Sequence, residues 1–398
     1  MNAGTGLTGN ELYPRFSDAE YDRRYHAVRE AMRQDNLDAI LVSGARGSSE
    51  VHYLSNYLAQ SPCWLLFPRE GAPTVFIHFF NHQPCAKAQS ITNDVRWYGP
   101  APIPTLADAI RQRNLAKSRI GLVSMRGMAY GHVTQLQRLF PEAEFVEFGP
   151  AFGRIRRVRS DEELGYLRRS GYLTDLACEA LEEHLRPGLT EHDILSIVYN
   201  SYIKNGGEPG IHFIATTRMD QPDRFVPWQK PTPRVIEAGS VVITELTVSY
   251  WGYSTQIHRP FAITREPPPL YRKLFDTALE CMKTSARSVN LGRPAKHLSP
   301  QAPSSKRTAL APTTASSMVK QENLPSSAHL LRPTLWSRGH WSKTWSTSSN
   351  PTRSPAISKP ACNSAPPSSL NQTAENRCII TRSSFPFAVK SQLNKERK

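Results

Sequence analysis

The stretch from Ser240 to Ile263, SVVITELTVSYWGYSTQIHRPFAI, is dense in β-branched and aromatic residues and is interrupted once, at Trp251-Gly252. Side chains of these kinds favour strands, and a short break between two such runs is typical of a hairpin. The stretch therefore predicts two antiparallel strands joined by a tight turn.

Helical patterns flank this hairpin. Upstream, Ser160 and Glu163 form a capping box, which predicts the start of a long helix, and Thr190 predicts the N-cap of the next one. Downstream, a helical period returns over residues 271–289. Residues 155–295 are therefore predicted to form an α+β domain.

Closer to the N-terminus, helical and strand-like stretches alternate. A second capping box, Ser17 with Glu20, predicts a helix that ends near Gln34. Apolar runs of strand length follow at Leu37–Gly44 and from Cys63, Thr74 and Arg119. Such alternation predicts an α/β domain with a mainly parallel or mixed sheet over residues 13–150.

The last hundred residues differ in composition from the rest of the 398-residue chain. Residues 297–398 contain 20 Ser, 11 Pro and one Gly, and their 14 Lys/Arg against three Glu give +11 of the total charge of +15. Such a composition predicts disorder for residues 296–398. The basic pI therefore comes from this tail, and nucleic acid is not predicted as a partner.

Cysteines and hydropathy exclude several other classes. The six cysteines form no C-x-x-C pair and no zinc-ligand spacing, so neither a disulfide framework nor a zinc site is predicted. The N-terminus lacks a signal-peptide pattern, and no run of 18 apolar residues occurs. The sequence predicts a soluble cytoplasmic protein without a membrane partner.

The order of these features resembles the creatinase, prolidase and aminopeptidase P family, which has the pita-bread fold. The resemblance lies in Arg24–Tyr57, in Arg156–Ile194 and in the hairpin, and it extends over roughly 280 residues. It implies an α/β N-terminal domain followed by an α+β pita-bread domain, here incomplete. It further implies hydrolysis of a C–N bond in a small or dipeptide-like substrate, and a homodimer.

In metal-using members of that family, two aspartates 11 positions apart on the hairpin hold two divalent ions. The matching positions here are Glu245 and Gln256. A neutral amide removes one full charge from such a site, which disfavours a metal cofactor. The family's histidine before the hairpin corresponds to Trp228, whose indole cannot shuttle protons near neutral pH.

Glu245 and His258 are the candidate catalytic residues. Glu245 lies in an otherwise apolar strand and could act as a general acid or base, or alternatively could pair with Arg259. His258 lies two residues from Gln256, on the same strand face, and could replace the missing histidine. A structural histidine is the alternative.

Four further residues are predicted to contact substrate: His212, Trp228, Tyr253 and Gln256. His212 enters an apolar strand and is placed at the pocket mouth, with an ordinary sheet histidine as the alternative. Trp228 and Tyr253, together with Trp251, could form an aromatic wall for a small apolar or cationic ligand. Ordinary packing is the alternative for all three.

The C-terminal tail also permits a reading-frame hypothesis. Ala361–Pro386 reads ACNSAPPSSLNQTAENRCIITRSSFP, and joining the third base of each codon to the first two of the next can spell LQLGAALVVKPDGRESLHNYPLEFP. That string resembles the last strands of the family. We therefore hypothesise that the coding sequence changes frame near residues 290–300 and does not return.

These observations predict a creatinase-like, metal-independent hydrolase of an amide or amidine bond, inactive in its present form because the domain is incomplete. Two alternatives remain open. One is a Xaa-Pro metallopeptidase with a divergent ligand set. The other is a pseudoenzyme or small-ligand binding protein.

Overall fold

The computed structural model describes residues 12–288 and the pair 343–344. Within that part of the chain the predicted fold class is confirmed: an α/β layer is followed by an antiparallel sheet with helices packed on it. The expectations for residues 296–398 lie outside the described residues, apart from Lys343–Thr344. No helix in the described part combines the length and apolar character that crossing a bilayer requires.

The first sheet has six strands in the order β4-β3-β2-β1-β5-β6. It is mixed, because β2 is antiparallel to both β1 and β3 whereas the other pairs are parallel. Its strands are β1 Ala39–Gly44, β2 Cys63–Pro68, β3 Thr74–Ile77, β4 Val95–Trp97, β5 Arg119–Val123 and β6 Glu144–Glu147.

Helices cover both faces of this sheet. Residues of α1, α2, α3 and α6 pack on one face, and residues of α4 and α5 pack on the other. Such double coverage explains why the strands read as continuous apolar runs. The helices are α1 Asp18–Gln34, α2 Ser49–Ser55, α3 Gln83–Gln89, α4 Pro102–Gln112, α5 Tyr130–Leu139 and α6 Gly149–Arg157.

The second part of the fold consists of two helices, a three-stranded antiparallel sheet and a final helix. These are α7 Asp161–His184, α8 Glu191–Tyr202, β7 Glu208–Arg218, β8 Ser240–Tyr250, β9 Tyr253–Ile263 and α9 Pro269–Ser288. The capping box predicted for α7 forms, since the Ser160 side chain accepts from the Glu163 amide and the Glu163 carboxylate accepts from the Ser160 amide. A two-residue strand, β10 Lys343–Thr344, pairs in parallel with the end of β9.

A cluster of buried charged residues links the N-terminal α/β part of the fold to the second part. The fully buried Arg24 of α1 donates from Nε to Glu20 at 2.6 Å and from Nη2 to the hydroxyl of Tyr253 at 3.2 Å. The equally buried Glu163 at the start of α7 lies 3.7 Å from Arg24 and accepts from Tyr253 at 2.9 Å. Buried charges require such partners, so these contacts fix α1, α7 and β9 together.

Candidate functional site

The hairpin β8–β9 presents two chemically different faces. On β8 the even-numbered residues Val242, Leu246, Val248 and Tyr250 are buried in the core that α7 and α8 share. Because side chains alternate along a strand, Glu245 and Thr247 point to the opposite face. Glu245 pairs directly with His258 on β9, and Thr247 pairs with Gln256. All four side chains therefore share the face of the sheet away from α7 and α8.

A polar cluster forms on that face. The amide nitrogen of Gln256 donates to Oε1 of Glu245 at 3.0 Å and to the Thr247 hydroxyl at 2.9 Å. The Nε2 atom of His258 lies 3.8 Å from Oε2 of Glu245. The side chains of Glu245 and His258 are 21% and 39% exposed, so both groups can meet a small molecule. The structure thus brings together three of the predicted site residues: Glu245, Gln256 and His258.

Burial lowers the pKa of His258, although the nearby Glu245 carboxylate acts in the opposite direction. The imidazole is therefore neutral near pH 7, and its contact with Glu245 at 3.8 Å is a polar contact rather than an ion pair. A neutral imidazole can accept a proton from water, and an adjacent carboxylate stabilises the imidazolium that results. His258 and Glu245 thus have the chemistry of a general base with a carboxylate that orients it.

The cluster does not have the donor set of a two-metal site. It offers one carboxylate and one imidazole, and Gln256 meets the carboxylate from β9 with an amide N–H donor rather than with a second anionic oxygen. Among the residues described, no group of three or more His, Cys, Asp and Glu side chains is arranged to hold an ion. The described side chains therefore do not by themselves fit a pair of divalent ions.

His212 and Tyr253 lie on the other face of the sheet, which corrects their predicted placement in the pocket. His212 pairs with the buried Leu246, and its Nε2 is 2.6 Å from the hydroxyl of Tyr202 on α8. Burial lowers the pKa of His212 to about 4. Tyr253 precedes Gln256 by three positions, so strand alternation turns it toward α7, where it contacts Glu163. His212 thus has the buried surroundings of the alternative, an ordinary sheet histidine.

Arg259 is also turned away from the cluster. It follows His258 directly on β9, is 8% exposed and lies on the helix-facing side. Glu245 and Arg259 therefore lie on opposite faces of the sheet, and the alternative that paired them is wrong. The contacts of Glu245 are with Gln256 and His258.

Trp228 lies at the free edge of β7. Its backbone exchanges two hydrogen bonds with Ile214, and its half-exposed ring carries the guanidinium of Arg224 at 3.8 Å from the centroid. Ile214 pairs with Thr244 on β8, so Trp228 is two strand spacings from the row next to Glu245, about 10 Å. Ile214 belongs to the core shared with α7 and α8, so its direct partner Trp228 lies on the side of the sheet opposite Glu245, where Arg224 is its ring contact. The structure therefore does not bring Trp228 together with the polar cluster.

Glu191 is a buried anchor that the sequence analysis missed. Its fully buried carboxylate accepts from Arg224 at 2.6 Å, from the amide of Thr216 at 2.9 Å, and from the amide and hydroxyl of Thr232 at 2.8 and 2.6 Å. It thereby holds both sides of the β7–β8 connection around Trp228. From sequence it has the pattern of an ordinary acidic residue in the first turn of a helix, because burial comes from chain segments 25 to 41 residues away.

Two family models match the chain. The Creatinase/Prolidase N-terminal domain matches residues 24–158, and Metallopeptidase family M24 matches residues 165–305. The fold is that of the pita-bread hydrolases. The chain belongs to the creatinase, prolidase and aminopeptidase P family.

Similar proteins agree with this assignment. The uncharacterized hydrolase/peptidase y4tM of Sinorhizobium fredii is 24% identical over 301 residues, which cover 70% of this chain and 74% of that protein. The Xaa-Pro dipeptidase of Lactobacillus delbrueckii is 22% identical over 273 residues, 67% of this chain and 72% of the relative. The crystal structure of the prolidase from Pyrococcus horikoshii superposes with a TM-score of 0.59 at 21% identity, over 69% of this chain and 75% of that one.

Proposed function

We propose that this chain derives from a hydrolase that cleaves a C–N bond, amide or amidine, in a small or dipeptide-like substrate without a metal ion. The observation that carries the proposal is the cluster of Glu245, Gln256 and His258 on the open face of the hairpin. In it, a neutral imidazole stands beside an anchored carboxylate where the family's metal ligands are expected.

In this proposal His258 is the general base. It takes a proton from water while the water oxygen forms a bond to the carbonyl or amidine carbon, and it returns that proton to the leaving nitrogen as the C–N bond breaks. Glu245 orients the imidazole and stabilises its charged form. Gln256 fixes the carboxylate by its hydrogen bond of 3.0 Å.

A Xaa-Pro metallopeptidase is the second candidate. It is favoured by the M24 match and by relatives that are named Xaa-Pro dipeptidase. In that case Glu245 would be the ligand from this part of the chain, and further ligands would come from residues beyond 288. A pseudoenzyme is the third candidate, favoured by Trp228 at the position of the family's histidine.

We further propose that the present chain lacks activity because its reading frame changes near residues 290–300. The M24 match ends at residue 305, and codons allowed for Ala361–Pro386 can spell family-like text in the shifted frame. An incomplete pita-bread sheet leaves unpaired edges and apolar surface, which favours aggregation. The nucleotide sequence tests this directly: an alternative frame without family-like text between codons 290 and 386 rejects it.

The catalytic assignment is tested in a frame-restored chain with Ala-Pro and creatine as amide and amidine substrates. His258→Asn and Glu245→Gln are each expected to lower kcat by about 10²–10⁴, the usual contribution of a general base. Ser254→Ala, on the same face of β9, is the control and should change kcat by less than about twofold. Stoichiometric Mn, Co or Zn in the active protein would favour the metallopeptidase instead.

A further inference from the structure

The tip of the β8–β9 hairpin is buried in the N-terminal domain. Trp251, the first residue of the turn, is only 9% exposed. Its ring stacks on Tyr13 with centroids 5.4 Å apart and meets the edge of His52 at 6.2 Å. An aromatic side chain at a hairpin tip is thus enclosed by residues of α2 and of the segment that precedes α1.

Tyr13, His52 and Asn56 enclose the Trp251 indole, and these three residues are called the socket below. Nε1 of Trp251 donates to Oδ1 of Asn56 at 3.1 Å. Asn56 is itself held, because its Nδ2 donates to the carbonyls of Pro14 and Gln89, each at 3.0 Å. The indole N–H therefore meets a buried acceptor whose orientation is fixed by two other chain segments.

The turn itself is unfavourable for tryptophan. Trp251 and Gly252 have φ values of 46° and 77°, and they connect the directly paired Tyr250 and Tyr253. A two-residue turn with positive φ at both positions strongly prefers Asn-Gly, whereas a bulky residue is strained there. The contacts of the indole in the socket must offset that strain.

Close packing continues at the next residue. A Cβ atom on Gly252 would lie 3.3 Å from Nδ1 of His52 and 3.3 Å from Cδ1 of Leu58. The hydroxyl of Tyr253 then donates to Glu163, and Arg24 of α1 donates to that hydroxyl. Three consecutive residues of the hairpin tip are therefore held against the N-terminal domain or the start of α7.

We propose that Trp251 is a positioning residue through which the N-terminal domain fixes the hairpin and, with it, the pair Glu245 and His258. This pair lies five rows from the turn, about 17 Å along the strands. A hairpin held at its tip and packed on α7 cannot tilt or change register freely. For its catalytic consequence the proposal rests on the proposed function; for its structural part it does not.

The test is hydrogen exchange in the full 398-residue chain, with Trp251→Asn as the main variant. Asparagine suits the turn better than tryptophan, so turn preference alone predicts unchanged or slower amide exchange in β8 and β9. Loss of the socket contacts predicts the opposite: the amide exchange rate in β8 and β9 rises about tenfold, including at the amides around Glu245 and His258. Unchanged or slower exchange overturns the proposal.

Asn56→Gly provides a second variant that does not depend on how Trp251→Asn folds. Glycine retains the left-handed backbone of Asn56, whose φ is 63°, and removes the acceptor of the indole together with the amide that holds it to Pro14 and Gln89. Exchange in β8 and β9 should again rise, and the double variant should add little to Trp251→Asn. No change in Asn56→Gly rejects the socket.

Trp97→Asn is the matched control. Its Nε1 likewise donates to an oxygen of the N-terminal domain, the backbone carbonyl of His78 at 3.0 Å, but this indole lies on β4. Exchange in β8 and β9 should stay at the parental rate, and an equal rise there would overturn the proposal.

In a frame-restored chain Trp251→Asn should lower kcat more than it raises KM. If the frame-restored parent shows no hydrolysis, the proposed function is rejected but the exchange result remains valid.

Discussion

Gln256 donates a hydrogen bond from its amide nitrogen to Oε1 of Glu245 across 3.0 Å, from one strand of the hairpin to the other. The two positions that hold aspartates in metal-using relatives thus still face each other. Here their relationship is that of a donor with an acceptor rather than of two anions. The Glu245 carboxylate is stabilised by the amide of Gln256, and this contact needs no cation.

Gln256→Asp should convert this relationship into a cation site. Two carboxylates at this separation repel each other unless a cation or a proton lies between them. We expect Mn²⁺ to raise the Tm of Gln256→Asp by several degrees and EDTA to reverse the effect, measured by differential scanning fluorimetry. Gln256→Asn shortens the side chain equally without adding charge, and an equal Mn²⁺ response from that variant contradicts the prediction.

Glu191→Gln should be strongly destabilising. The carboxylate is fully buried, and its partner Arg224 is only 10% exposed, so neutralising one member leaves a buried charge unpaired. Loss of such a partner typically costs about 3–5 kcal/mol in the free energy of unfolding. Urea denaturation measures it.

Glu237→Gln is the control for Glu191→Gln. It makes the same chemical change in an ion pair with Arg218, but the Glu237 side chain is 60% exposed. Exposed ion pairs contribute about 0–1 kcal/mol, so this variant should lie close to the parent. If both variants lose the same stability, the buried carboxylate is not the anchor of the β7–β8 connection.

His212 should make the stability of the chain sensitive to acid. Burial lowers its pKa to about 4 from an ordinary value of 6.5, so the unfolded chain binds a proton in that interval and the folded chain does not. Its contribution is therefore complete above about pH 6.5 and is lost as the pH falls toward 4.

The pH dependence of unfolding in His212→Phe checks this assignment. The slope of the unfolding free energy between pH 6.5 and 4 should decrease by about 1.4 kcal/mol per pH unit, the value for one proton. His26→Phe is the comparison, since that ring is exposed on α1. A parental slope in His212→Phe would show that another group takes up the proton.

Local sequence signals predicted the elements with strong periodicity or explicit caps. The capping box of Ser160 and Glu163 begins α7 as expected, and the break at Trp251-Gly252 is the hairpin turn. The short strands β4 and β6 were not predicted, because three or four residues carry too little pattern and their pairing comes from strands distant in sequence.

The open-face cluster followed from alternation, whereas the wider site did not. Glu245, Gln256 and His258 share a face because of their spacing along paired strands. The same rule, applied to Tyr253, turns it to the opposite face. The side of His212 depends on the irregular register of β7 between Pro209 and His212, which no local pattern encodes.

The buried cluster around Arg24 has a consequence for the order of events during synthesis. Glu20 leaves the ribosome with Arg24, but Glu163 and Tyr253 follow 139 and 229 residues later. Until then, one of the most deeply buried cations of the described chain has a single acidic partner. The N-terminal domain therefore completes its packing only as α7 and then the hairpin emerge. Every member of this cluster is encoded before residue 254, so nascent chains that differ after residue 290 share the same early folding steps.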